Sequence, residues 1–260
     1  MRAELEAAVG RVLTNPGALA LLRADFDGFS SAYELDRDER ERLGAMRDEL
    51  ATLHRSFTMK RRRALRSSFP YSDALLGDRI DVVLGRYIDH FPPCDDISHD
   101  LDRFGDFLVD VLESWREPRL TIDVARAEDL RGRASRAIIS GERIGAPEEP
   151  GSEIEPSPSA VLALRDGVFL GRFEHDMRNL GMLATSALDE LPVVPSFHVV
   201  FRRRGSDNAQ IWRLGPATFR LLRALDGSTP RGEIEARYDA GDARLAPLIA
   251  EGAVEILRRR

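Results

Sequence analysis

Between residues 145 and 159 the chain reads GAPEEPGSEIEPSPS, and no apolar period survives that stretch. Proline, glycine and acidic residues dominate it, and with prolines throughout and no apolar face to bury, the segment predicts a linker or mobile loop. It separates two kinds of sequence. Before it, apolar residues recur every three or four positions, the helical period. After it, short apolar runs alternate by twos before a last helical set. The expected fold class is therefore α+β. An all-helical domain over 1–143 is followed by a linker over 144–159 and by a domain over 160–260 carrying a small antiparallel sheet.

In the first part, Leu5, Val9 and Val12 predict a helix over 4–13, and Pro16 can open the next. Leu19, Leu22, Phe26 and Phe29 predict a helix over 18–29. Leu43, Met46, Leu50 and Leu53 predict one long helix from 35 toward 57, with Lys60-Arg61-Arg62-Arg63 on it or just beyond. Phe69-Pro70 breaks the pattern. Single helices are expected over 72–88, 101–115 and 120–137. The proline-rich stretch His90-Phe91-Pro92-Pro93-Cys94-Asp95-Asp96 reads as a loop.

In the second part, 161–164 and 168–173 predict strands around an Arg-Asp-Gly turn, and 177–188 predicts a helix. Strands over 198–204 and 209–213 flank Gly205-Ser206-Asp207-Asn208, a hairpin-loop composition. Pro216 then opens a helix bearing Phe219, Leu222 and Leu225, which Asp226-Gly227 stops. A second helix has Thr229 as its N-cap and Ile234 and Tyr238 on its apolar face. A third spans 242–251 with Leu245, Leu248 and Ile249 inward, and 253–257 can add a strand. Strand, strand, three helices, strand is the order of a winged helix-turn-helix.

Composition narrows the function. A net charge of -6 argues against a general nucleic-acid binder. No apolar run approaches membrane-span length. The N-terminus MRAELEAAVG lacks the basic-then-apolar layout of a signal peptide, and one cysteine, Cys94, rules out an internal disulfide. A reducing cytoplasm is the expected compartment. No phosphate-binding glycine loop or triad spacing marks an enzyme. His90, Cys94 and His99, with Asp95 and Asp96 between them, offer metal-ligand chemistry, but the spacing matches no common zinc module and a structural loop is the simpler reading. The Lys60–Arg63 run reads first as a solvated face, with docking to a partner protein as the alternative. Trp212 can be core or groove.

Several ordered pieces carry a resemblance. Arg63-Ala64-Leu65, Phe69-Pro70, Leu76-Gly77, Tyr87 through His90-Phe91-Pro92-Pro93, Phe104 through Phe107-Leu108, and Leu120 through Asp123-Val124-Ala125-Arg126-Ala127-Glu128 together resemble a bacterial family often labelled a DNA-binding domain. Thr121, Ile122 and Ala127 depart from its common pattern. The likeness covers about residues 60 to 257; the first sixty lie outside it. Family members are encoded beside multinuclear non-heme iron-dependent oxidases that modify ribosomally made peptides, as in the methanobactin and thiaglutamate pathways. The resemblance implies a non-catalytic partner subunit that holds a precursor peptide for the oxidase, with no cofactor of its own and iron in the oxidase. The C-terminal part is also similar to the PqqD-like precursor-recognition element, in which a peptide adds along a sheet edge beside a helix. Transferred to this chain, the analogy puts the edge at 198–204. The expected peptide-binding residues are then Val199, Val200, Phe201, Arg202, Arg204, Arg244 and Leu248. Neither membrane nor nucleic acid is an expected partner. A winged-helix DNA-binding regulator is the alternative, but Arg231, Arg237 and Arg244 stand among acidic residues, poor equipment for reading a groove lined with phosphates.

Overall fold

The computed structural model describes residues 3–94, 96–137, 156–202, 208–240 and 243–257. The chain is mixed helix and sheet, with a mostly helical N-terminal region followed by small antiparallel sheets. It divides into two compact units, Met1–Phe107 and Leu108–Arg260. The expected linker over 144–159 falls almost wholly outside the described residues, as do Arg204 and most of the hairpin loop.

The first unit is built from α1 (Ala3–Thr14), α2 (Pro16–Ala24), α3 (Phe26–Ala32), α4 (Arg37–Ala45), α5 (Arg47–Ser67), α6 (Pro70–Leu76), α7 (Arg79–His90) and the start of α8 (Ile97–Ser114). Three helices expected to be continuous are each cut in two. Asp25 ends α2 and caps α3, its side chain accepting from the Gly28 N–H at 2.9 Å. Met46 separates α4 from α5. Gly77 takes φ 54°, a left-handed conformation that favours glycine, and turns the chain between α6 and α7. The start of α4 carries a full capping box, with Asp36 accepting from Glu39 N–H and Glu39 accepting from Asp36 N–H. Leu5, Val12, Leu22, Leu43 and Leu50 close one apolar core between α1 and α5. Tyr87 anchors an aromatic cluster with Phe91, Phe104 and Phe107.

The second unit holds the rest of α8, then α9 (Arg119–Arg136), β1 (Val161–Leu164), β2 (Phe169–His175), β3 (Val193–Arg202), β4 (Ala209–Leu214), α10 (Pro216–Ala224), α11 (Arg231–Tyr238), α12 (Ala246–Ala250) and β5 (Val254–Leu257). The helix expected over 177–188 is instead two 3-10 segments, Leu180–Met182 and Thr185–Glu190. The third C-terminal helix is only five residues long, and the N-cap of α11 is Pro230 rather than Thr229. β2, β3 and β4 form one antiparallel sheet in that order; β1 and β5 form a second. The expected boundary near residue 143 does not coincide with the division of the chain, because α9 packs across β2, β3 and β4.

Side-chain alternation in β3 explains the sandwich. Phe197, Val199 and Phe201 face α10; the Phe197 and Phe219 rings lie 4.5 Å apart, and Val199 and Phe201 share a core with Leu221, Leu222, Leu245 and Leu248. His198 and Val200 face the other way, toward α9. Gly171 stands opposite His198, and a β-carbon at Gly171 would sit 2.5 Å from the Phe173 ring and 3.3 Å from Leu130 of α9, so glycine leaves room for that ring beneath the helix. Both faces of the sheet are thus covered.

Candidate functional site

The second unit contains two polar constructions around its sheet: a buried carboxylate cluster and a strand edge. Asp176 follows β2 and is buried. Its carboxylate accepts from Arg178 Nη2 at 2.7 Å, from His198 Nε2 at 3.3 Å and from Arg213 Nη1 at 3.4 Å. His198 and Arg213 are register partners on β3 and β4, which brings both to the face where Asp176 lies. His198 is fully buried, and its Nδ1 has no hydrogen-bond partner among the described residues. With Nε2–H given to Asp176, the neutral ring that burial favours leaves Nδ1 a bare acceptor.

Burial alone would raise the Asp176 carboxyl. The Arg178 side chain and main chain, with His198, outweigh that and hold it at about 2. Burial lowers His198 below 6.5, against the pull of Asp176. The signs follow from linkage. Asp176 binds its proton less readily in the folded chain, so its stabilisation is complete above about pH 4 and is lost as pH falls toward 2. His198 resists protonation when folded, so its contribution begins to be lost as pH drops below 6.5. The stability difference between wild type and Asp176→Asn is therefore expected to be constant above about pH 7, where His198 is neutral in both, and to shrink as pH falls from about 4 toward 2, read by urea unfolding at each pH. A difference that stays flat down to pH 2 would contradict the assignment.

The strand edge lies elsewhere than expected. The 198–204 segment was expected to offer a free edge; β3 is instead the middle strand, bonded to β2 on one side and β4 on the other. Val199, Val200 and Phe201 are fully buried, so their main-chain groups cannot take an added strand. Arg202 ends β3, and Arg204 lies outside the described residues. Arg244 is exposed and precedes α12 rather than lying in it; its N–H donates to Thr218 Oγ1 at 3.1 Å. Leu248 is core.

The outer edges of this sheet belong to β2 and β4, and the β4 edge follows the expected hairpin. Ala209 N–H donates to Ser135 Oγ at 3.3 Å, and the Arg202 carbonyl accepts from Arg165 Nη2. Arg202 faces Ala209 in the register, and with the Ala209 N–H and the Arg202 carbonyl bonded elsewhere the alternation assigns them to a pair of the non-hydrogen-bonded kind. By alternation, Ile211 and Arg213 turn N–H and C=O away from β3, and no further strand pairs with them among the described residues. Exposed Arg213 and half-buried Gln210 and Trp212 belong to this strand; Trp212 Nε1 donates to Gln210 Oε1 at 3.0 Å and its ring packs edge-on against Phe201. Sequence reasoning had left Trp212 open and had missed Arg213, Asp176 and His198. The available signal was the near-continuous apolar run Val199-Val200-Phe201, which marks a strand covered on both faces.

His90, Cys94 and His99 do not form a metal cluster: among the described residues no three His, Cys, Asp or Glu side chains converge. His90 Nδ1–H donates to the Arg86 carbonyl at 2.7 Å. No helix among the described residues is long and apolar enough to cross a membrane. No family model matches the chain, and no curated protein matches it.

Proposed function

We propose that this chain is a non-catalytic partner subunit that binds a ribosomally made precursor peptide along the outer edge of β4 and presents it to a multinuclear non-heme iron-dependent oxidase. The observation that carries the reading is the outer side of β4 at Ile211 and Arg213, with which no strand pairs among the described residues. A strand edge with free N–H and C=O groups is what peptide recognition by strand addition requires. The order of β3, β4, α10, α11, α12 and β5 supports a winged-helix element of the precursor-recognition kind, and the ordered motifs between 60 and 257 support the oxidase partnership. β5 pairs with β1, so any wing would be formed by those two strands rather than by the β3–β4 hairpin. Main-chain pairing supplies affinity with little sequence preference; exposed Arg244 would select an acidic peptide.

The test is titration of the precursor encoded beside the chain into folded variants. Arg213→Ala keeps the outward N–H and Arg213→Pro removes it, so the proline variant is expected to bind more weakly than the alanine variant. Arg244→Glu is expected to weaken binding about ten- to a hundredfold, the worth of a charge-assisted contact. Coexpression with the neighbouring oxidase is expected to yield a copurifying complex. Wild-type affinity in all three variants, with tight and strongly salt-dependent binding of duplex DNA, would replace this reading with a regulator.

A further inference from the structure

The first unit encloses a cavity of about 550 Å³ to which no role has been given. Its volume falls in the roughly 300–1,000 Å³ range of sites that hold small organic molecules. The walls are largely apolar: Leu13, Pro16, Phe57, Ala64, Ile88 and Ile97 line it. Phe57 and Ile97 are 55% and 49% exposed, so apolar surface at this cavity remains open to solvent.

The polar lining is almost fully engaged. Arg61 and Asp100 neutralise one another through Nε–Oδ2 at 2.7 Å and Nη2–Oδ1 at 2.8 Å. His54 donates Nδ1–H to the Val12 and Leu13 carbonyls at 2.9 and 3.1 Å, and its Nε2 takes Thr58 Oγ1 at 3.4 Å. Lys60 is different: it lines the same cavity and has no ionic partner among the described residues. An apolar chamber with one unspent ammonium group fits one class of ligand. We infer that this cavity binds an amphipathic monoanion, an aliphatic or aromatic carboxylate whose apolar body fills the chamber and whose carboxylate meets Lys60. A cationic amphiphile of the same length would place like charge beside Lys60, and an alcohol would forgo the ion pair. The inference is independent of peptide binding at β4.

Cys94 also lines the cavity and is the one cysteine of the chain, which makes it a reporter. The experiment titrates decanoate, decanol and decyltrimethylammonium, below their micelle concentrations, into the full chain. It reads calorimetric affinity and the rate of Cys94 alkylation by iodoacetamide. Decanoate is expected to bind tightest and to slow alkylation. Lys60→Gln is expected to weaken decanoate about fivefold, the upper range for an ion pair near solvent, and to leave decanol unchanged. Ala64→Trp, which fills the chamber, is expected to abolish binding of all three. Equal affinity for decanoate and decyltrimethylammonium, or decanoate binding unaltered in Lys60→Gln, would overturn the proposal. Because Lys60 is exposed, that variant folds as wild type and decides the matter even if Ala64→Trp does not fold.

Discussion

Asp100→Asn is expected to destabilise the first unit by about 3–5 kcal/mol, the cost of breaking a buried ion pair from one side. Asp100 is 1% exposed and holds four donors in place. Its carboxylate takes Arg61 twice, the Tyr87 hydroxyl at 2.7 Å and Arg103 Nη2 at 3.0 Å. Arg61 continues to the Phe91 carbonyl at 2.7 Å, and Arg103 to the Pro92 carbonyl, so this one group ties α5, α7 and α8 to the proline-rich loop. Asparagine keeps the shape but removes the charge and turns an NH2 toward donors. The Arg61 guanidinium, with 9% of its side chain exposed, is then left without its counter-charge. Burial alone would raise the Asp100 carboxyl, but the bonds from Arg61 and Tyr87 hold it below the usual carboxylate range. Its contribution is accordingly present above about pH 4 and lost as pH falls further. Burial likewise pushes the Tyr87 phenol up to about 12, so the hydroxyl stays a donor throughout. Urea unfolding followed by helical circular dichroism measures the effect. A loss below about 1 kcal/mol would place the cluster among surface ion pairs instead.

Asp123→Ala is the second large expected effect, about 2–5 kcal/mol, because it strands two main-chain donors at once. Asp123 on α9 is fully buried. One oxygen, Oδ2, accepts from the Glu174 N–H at 2.8 Å, the His175 N–H at 3.1 Å and His175 Nδ1 at 3.0 Å. The β2–β3 pairing shifts register between Phe173 and His175, so these N–H groups sit where the ladder is irregular and the helix carboxylate supplies an acceptor. Arg119 stands 3.3 Å from the other oxygen. The loss should appear as faster hydrogen exchange around residues 172–176 together with lower overall stability. Unchanged exchange there would mean that the irregular segment is held by its other contacts.

These two aspartates show what a sequence conceals. Asp123 was legible only as one letter in a motif resemblance, and Asp100 was not singled out. Asp100 is met by Arg61 and Asp123 by Glu174 and His175, from elements far off in the chain, and nothing in local spacing announces a carboxylate that will be buried against them. Local devices were easier to see. The amphipathic periods of α8 and α9 predicted helices within a few residues of their observed limits, and Pro16 and Pro216 open helices as a first-turn proline should. Periodicity carried straight through Asp25, Met46 and Gly77, because an apolar stripe can continue in space while the backbone breaks beneath it.

The order of strands was the costliest omission for function. A hairpin is readable from its turn residues, but which flank of it receives a third strand depends on a distant segment. Here β2, which starts at Phe169 where β3 starts at Val193, takes the side of β3 that had been assigned to a peptide, and the edges fall to β2 and β4. The sequence by itself determined the mixed architecture, the helical first part, the small antiparallel sheet and most of its core positions, since those follow from periods of 3.6 and 2 and from turn chemistry within a few residues. Only the tertiary structure decided that α9 leaves the helical part to cover the sheet, that β3 is buried on both faces, that Asp100 meets Arg61 and Asp176 meets His198 and Arg213, and that Lys60, beside an apolar cavity, has no ionic partner among the described residues. Those outcomes are set by non-local packing and by the need to satisfy every buried charge, which no local window contains.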